Sequence, residues 1–193
     1  GTQSATSFTA VAGTTYRIAV DGNAGAIGEL VLNVTFSEPP NDDFANRTVL
    51  SGFPVTATGS SRHATPENGD DTAHASVPAG RSVWWDWTSP TNGFVAISTS
   101  GSSFNTLLAV FTGESIGTLT EVKSNDNVSD QPGAFTSQVT FQATAGTHYA
   151  IVVDGYYSQT GDIQLGIFPG DPPPNDNFED RSTLTGFFAR VTA

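Results

Sequence analysis

The chain has 193 residues, of which 37 % are hydrophobic and 13 % charged, a composition that suits a packed protein and neither a membrane protein nor the charge-rich disordered class. Seven basic against nineteen acidic side chains give a formal charge of −12, which repels phosphate backbones and anionic bilayers and so argues against nucleic acid and membrane partners. The longest apolar runs, such as Leu107 to Phe111 and Ala150 to Val153, fall far short of the roughly 20 residues that a spanning helix needs. With no cysteine there is neither a disulfide framework nor a thiolate ligand for a metal. Methionine is also absent and no leader pattern opens the sequence, so the chain is expected to be a piece, or a processed form, of something longer.

In chain order, the first pattern is Ser7 to Gly28, SFTAVAGTTYRIAVDGNAGAIG, which returns as QVTFQATAGTHYAIVVDGYYSQTG over Gln138 to Gly161. Tyr16 and Tyr149, Asp21 and Asp154, and Gly28 and Gly161 are each 133 positions apart. The motif Asn41-Asp42-Asp43-Phe44 returns as Asn175-Asp176-Asn177-Phe178, now 134 apart, because the proline-containing linker is longer in its second copy. These echoes predict five segments. Residues 1–36 hold the C-terminal strands of one repeat, 37–40 a proline linker, 41–168 a complete repeat, 169–174 a second linker, and 175–193 the head of a further repeat. The linkers SEPP and PGDPPP favour extended geometry and act as short semi-rigid spacers. An isolated two-stranded tail is marginal in water, so its apolar face needs a sheet supplied by the same chain or by neighbouring molecules.

Within the complete repeat, period-two alternation predicts about eight strands: Phe53–Ser60, Ser82–Thr88, Phe94–Thr99, Phe104–Thr112, Leu119–Ser124, Gln138–Ala143, His148–Val153 and Ile163–Ile167. Breakers such as Ser89-Pro90-Thr91-Asn92-Gly93 and Thr144-Ala145-Gly146 separate them. Short strands at this spacing predict an all-β, antiparallel β-sandwich of jelly-roll type. One short helix is expected within Asn41 to Leu50, capped by Asn41 or Asp42. In Val83-Trp84-Trp85-Asp86-Trp87 the alternation sends Val83, Trp85 and Trp87 to the core and leaves Trp84 as a candidate exposed anchor, unless both faces of the strand are covered.

The combination NDDF, SVWWDWTSP, FNTLLAVFTG and VTFQATAGTHYAIVVDG resembles the β-sandwich repeats of very large secreted bacterial proteins, which are related to the pre-peptidase C-terminal domains of exported proteases. The resemblance covers residues 41–168 and both partial flanks. It implies an extracellular or cell-surface, non-catalytic module for adhesion, surface display or targeting, in some cases stabilised by calcium. Tandem copies and the lack of a peptidase segment depart from the protease-accessory case.

Acidic loop clusters offer hard oxygen donors of the kind calcium takes. The first is Asn41, Asp42 and Asp43; the second Glu67, Asn68, Asp70 and Asp71; the third Asn125, Asp126, Asn127 and Asp130. A calcium site would be led by the first cluster, with Glu67 or Asp126 helping, against the ordinary reading that such residues cap turns. Gly113-Glu114-Ser115-Ile116-Gly117 matches a nucleophile elbow, but a strand follows where a helix is required, so an ordinary loop is expected. His63 and His74 fall in a long loop, and His148 is replaced by Thr15 in the echo, so none is expected to be catalytic. The recurrent Asp-Gly pairs at Asp21 and Asp154 read as turn formers.

The leading expectation is therefore a structural or adhesive repeat of an extracellular surface protein, fibre or filament. Its partners are adjacent repeats, copies of the same protein, or a glycan or surface protein. The alternative is a carbohydrate- or protein-binding accessory module of a secreted enzyme, which would use Trp84, Tyr156 and Tyr157 as aromatic contacts.

Overall fold

A computed structural model describes residues 4–8, 10–11, 13–70, 73–78, 80–129, 135–171 and 179. The expected head, 175–193, lies outside the described residues apart from position 179. The chain forms two units, residues 1–35 and 36–193.

In the larger unit the alternating segments become strands of two sheets. The five-stranded sheet has the order β1 (Thr48–Leu50), β5 (Val83–Thr88), β10 (His148–Gly155), β7 (Thr106–Thr112) and β8 (Thr120–Asn125). Its β1–β5 pair is parallel and its other pairs antiparallel. The four-stranded sheet has the order β2 (Val55–Ser60), β11 (Asp162–Pro169), β6 (Gly93–Ser98) and β9 (Gln138–Ala143), antiparallel throughout. A small hairpin, β3 (Ala73–His74) and β4 (Val77–Pro78), sits in the long loop between β2 and β5.

Period-two side chains from both sheets meet in one core: Val83, Trp85 and Trp87 of β5, Tyr149, Ile151 and Val153 of β10, and Ile163, Leu165 and Ile167 of β11 among them. Each large side chain removed from water contributes about 1.5 to 3 kcal/mol, which is what holds the two layers together. Packing is tight enough to dictate a glycine. A Cβ at Gly59 on β2 would lie 2.8 Å from Cζ2 of Trp85, so the indole lies where any larger residue would have to go.

Two expectations are corrected here. The short helix within Asn41–Leu50 is a single 3-10 turn, Phe44–Asn46, after which Thr48 and Val49, β-branched and suited to a pleated edge, join β5 as β1. Trp84 is fully buried, because the outer face of the five-stranded sheet is covered as well. A second cluster of Phe44, Trp84, Ala109, Phe111, Ala150 and Val152 lies there, with the Phe44 ring edge-on to Trp84 at 5.2 Å between centroids.

Unit 1–35 contains no strand among its described residues, only a 3-10 turn at Asn23–Gly25. In the larger unit β10 and β11, whose apolar residues lie 133 positions after those of the tail, belong to different sheets and do not pair with each other. The local geometry nevertheless recurs at the sequence period. The Tyr16 hydroxyl accepts the Val11 N–H at 2.8 Å, as that of Tyr149 accepts the Thr144 N–H at 3.0 Å. Phe8 and Tyr16 stand 4.9 Å apart at 50°, Phe141 and Tyr149 5.0 Å apart at 54°. Gly13 and Gly146 both have φ +78°. Ala24 (φ 54°, ψ 34°) and Tyr157 (φ 50°, ψ 45°) both take the left-handed conformation inside a 3-10 turn. A Cβ at Gly22 would run into the Ala26 carbonyl oxygen, and one at Gly155 into that of Gln159, so both turns demand glycine.

Candidate functional site

The sequence-predicted site residues divide by position along the sheet edges. Asn41 is buried against β5, its Nδ2 donating to the Trp84 carbonyl at 2.9 Å while its own carbonyl accepts the Trp84 N–H at 2.9 Å. Asp42, also buried, accepts the Thr65 N–H at 2.9 Å on one oxygen and the Thr65 hydroxyl at 2.8 Å on the other. Glu67 accepts the Phe44 N–H at 2.7 Å. Burial pushes the Glu67 carboxyl up, against that hydrogen bond, and the charges of Asp43, Asp70 and Asp42 push the same way. The first and second clusters thus come together, as anchors that tie the loop after β2 to the segment Asn41–Phe44.

Asp43 is exposed and accepts from Asn46 at 3.4 Å. Asp126 follows β8 on the far edge of the five-stranded sheet, three strand spacings or roughly 14 Å from β5, and is not brought to the others. Burial raises the Asp126 carboxyl. Among the described residues no group of three or more His, Asp or Glu side chains is placed to hold a metal ion. Asp42 and Glu67 accept hydrogen bonds from Thr65 and from the Phe44 N–H. Asp71 and Asp130 lie outside the described residues.

Sequence reasoning passed over a fully buried, titratable polar group. His74 on β3 has no exposed surface and lies between two carboxylates, with Nδ1 3.3 Å from Asp154 Oδ2 and Nε2 3.5 Å from Asp70 Oδ1. Asp154 ends β10 and also accepts the N–H groups of Gly80 (2.8 Å), Arg81 (2.8 Å) and Gly155 (2.7 Å). Asp70 accepts the Ser82 hydroxyl at 3.3 Å, and Arg81 Nη1 donates to the Ala64 carbonyl. Burial alone would lower the His74 value; hydrogen bonding to Asp154 and Asp70, with their charges, overrides it and raises the imidazole to about 9. A cation held between two carboxylates pins the β2–β5 loop over Trp84 and Phe111, whose rings face the imidazole. The signal for it was the recurrence of Asp21 at Asp154, which local turn formation explained too readily.

Other motifs resolve simply. Ser115 is exposed and its hydroxyl pairs with that of Thr118 at 2.7 Å in a connecting turn ahead of β8. His148 lies on the outer face, 3.1 Å from the Thr88 hydroxyl and 3.4 Å from Asp86, which Arg47 also approaches at 3.4 Å. Tyr156 and Tyr157 form an edge-on pair with centroids 4.4 Å apart, and Tyr157 is 79 % exposed. No helix among the described residues is long and apolar enough to cross a membrane.

One further surface stands out. In unit 1–35, Tyr16, Ile18, Val20, Leu30, Leu32 and Val34 are between 41 % and 73 % exposed. Their counterparts 133 residues on, Tyr149, Ile151, Val153, Ile163, Leu165 and Ile167, are at most 4 % exposed.

What the geometry defines is an all-β module of two stacked sheets. No protein-family model matches the sequence, and no curated protein matches it. Among solved structures the chain is similar to the pre-peptidase C-terminal domain of collagenase from Bacillus anthracis, at 13 % identity over 63 % of this chain and 93 % of that one, with a TM-score of 0.41. It is similar to PliG of Aeromonas hydrophila, a periplasmic inhibitor of g-type lysozyme, at 14 % identity over 63 % and 94 % of the two chains and a TM-score of 0.41. It is also similar to a family 35 carbohydrate-binding module from an environmental isolate, at 18 % identity over 53 % and 77 %, with a TM-score of 0.29. At these TM-scores the likenesses carry no argument, and fold and site rest on the geometry itself.

Proposed function

We propose that the protein is a non-catalytic structural or adhesive segment of an extracellular bacterial surface protein, in which β-sandwich repeats of about 133 residues follow one another through proline linkers. The observation that carries this is the local geometry at Phe8, Val11, Gly13, Tyr16 and 22–26, which matches that at Phe141, Thr144, Gly146, Tyr149 and 155–159 down to the tyrosine hydrogen bond and the left-handed turn residue. Kinship with the pre-peptidase C-terminal type belongs to the same proposal and rests on the quoted sequence motifs. Each repeat supplies length and surface, and the work of the chain is cohesion between neighbours.

Electron microscopy of the native protein tests this. Beads on a thread, spaced by one sandwich and its linker, are the expected image; isolated globules without regular spacing would refute the array. The accessory-module reading keeps one support, the exposed Tyr157 ring at the tip of its turn, and no longer includes Trp84.

A further inference from the structure

We propose that the outer face of the four-stranded sheet binds an uncharged polysaccharide. Alternate residues of β2, β11, β6 and β9 fill the core, so the other set faces out. That outward set consists of Thr, Ser, Gln, Gly, Ala and Phe, with Asp162 at one end its only ionisable member. Asp162 is paired with Arg62 at 3.3 Å. The five-stranded sheet has its outer face closed by the cluster of Phe44 and Trp84, whereas here Thr56, Gln138 and Gln164 are exposed. Register sets Gly166 between Thr56 and Ser98, and Ser98 opposite Gln138, in one row across all four strands, about 14 Å from end to end. With no side chain at Gly166, the row becomes a groove of about 380 Å³, with Gln164 before it and the half-buried Phe168 ring after it along β11.

Glycine inside a regular strand weakens it, and it marks either a bulge or a close approach. β11 keeps an unbroken register with both neighbours, so Gly166 marks no bulge. A Cβ there would stand 3.3 Å from Cε1 and 3.5 Å from Cδ1 of Phe168, so the glycine seats that ring in the groove. In the echo 133 residues earlier the inward positions stay apolar, as Leu30, Leu32 and Val34, while Gln164, Gly166 and Phe168 are replaced by Val31, Asn33 and Thr35. The fold therefore does not demand the outward set. What that set offers is a ring for the apolar C–H face of a pyranose, flanked by amides and hydroxyls that both donate and accept, as sugar hydroxyls do. Among the described residues only the backbone groups of Gln138 and Gln164 are engaged, which leaves both side-chain amides available. Charge decides among occupants. A chain of net charge −12 repels nucleic acid, anionic glycans and a second copy of itself, and this face holds no unpaired cation to offset that repulsion. An uncharged ligand meets no such opposition.

The site belongs to a single sandwich and needs no array, so threads and glycan binding succeed or fail separately. Calorimetric titration of the full chain with soluble β-glucan, galactomannan and arabinoxylan, and with alginate as the anionic counterpart, tests it. At least one neutral polysaccharide is expected to bind, with equal affinity at low and high salt, and alginate is not. Gln164→Ala, an exposed change that leaves the thermal midpoint in place, is expected to weaken binding by about threefold or more. Phe168→Leu, which keeps apolar bulk and removes the ring, is expected to weaken it by about tenfold. No binding to any of the neutral polysaccharides would overturn the proposal. Binding to alginate alone, or binding that salt abolishes, would overturn it by showing attraction between charges. Full affinity in both Gln164→Ala and Phe168→Leu would also overturn it, and loss in Tyr157→Ala alone would move the sugar to the turn at Tyr156–Ser158.

Discussion

Raising the pH should unfasten the loop that His74 holds. The imidazole is buried with its charge stabilised by Asp70 and Asp154, and its value rises from 6.5 to about 9 on folding. Because the folded value lies above the unfolded one, this contribution is fully present below pH 6.5 and is lost as pH climbs through about 9. At ~1.4 kcal/mol per pH unit the contribution amounts to about 3 kcal/mol. Urea unfolding followed by tryptophan fluorescence reads it directly. With slopes of roughly 1 to 3 kcal/mol/M, the midpoint should fall by roughly 1 to 3 M between pH 6 and pH 9.5 at constant slope. His74→Gln should lower the midpoint at pH 6 and flatten its pH dependence over this window, leaving Asp154 its backbone donors. An unaltered chain with the same midpoint at pH 6 and pH 9.5 would refute the charged imidazole.

Gly59→Ala should cost about 1 to 3 kcal/mol, measured by the same unfolding curves, because the new methyl meets the Trp85 ring. Trp84→Ala should cost about 3 to 5 kcal/mol by emptying the outer cluster. Tyr157→Ala should change stability by less than about 0.5 kcal/mol, since the ring is exposed and Ala24 holds the same backbone conformation in the echo. Loss of glycan-array binding in that variant would support the accessory-module reading. Calcium or a chelator should leave the thermal midpoint unchanged, because Asp42 and Glu67 are engaged by Thr65 and Phe44; a rise in the midpoint with calcium concentration would reveal a site.

The strands of the sandwich were legible where one face is polar. Val139, Phe141 and Ala143 alternate with Gln138, Thr140 and Gln142, and β9 has that register. Legibility failed where the second face is covered by distant chain. Nothing in Val83 to Trp87 marks Trp84 as buried, because its cover comes from Phe44 and from the loop carrying His74. The same holds for His74 itself, which a polar, Gly- and Asp-rich stretch disguises as a surface loop residue. The short helix failed because Asn41 and Asp42 look like caps but spend their side chains on Trp84 and Thr65. In residues 1–35 the apolar alternation was legible, and the described residues form no strand there.

Amide hydrogen exchange on the protein as its cells assemble it tests the proposed array most directly, by asking whether residues 16–22 and 29–35 repeat the strands of the sandwich. Amides of residues 16–22 and 29–35 should then be protected to the same degree as those of β10 and β11. Exchange of these amides at unprotected rates in the assembled protein would contradict that claim.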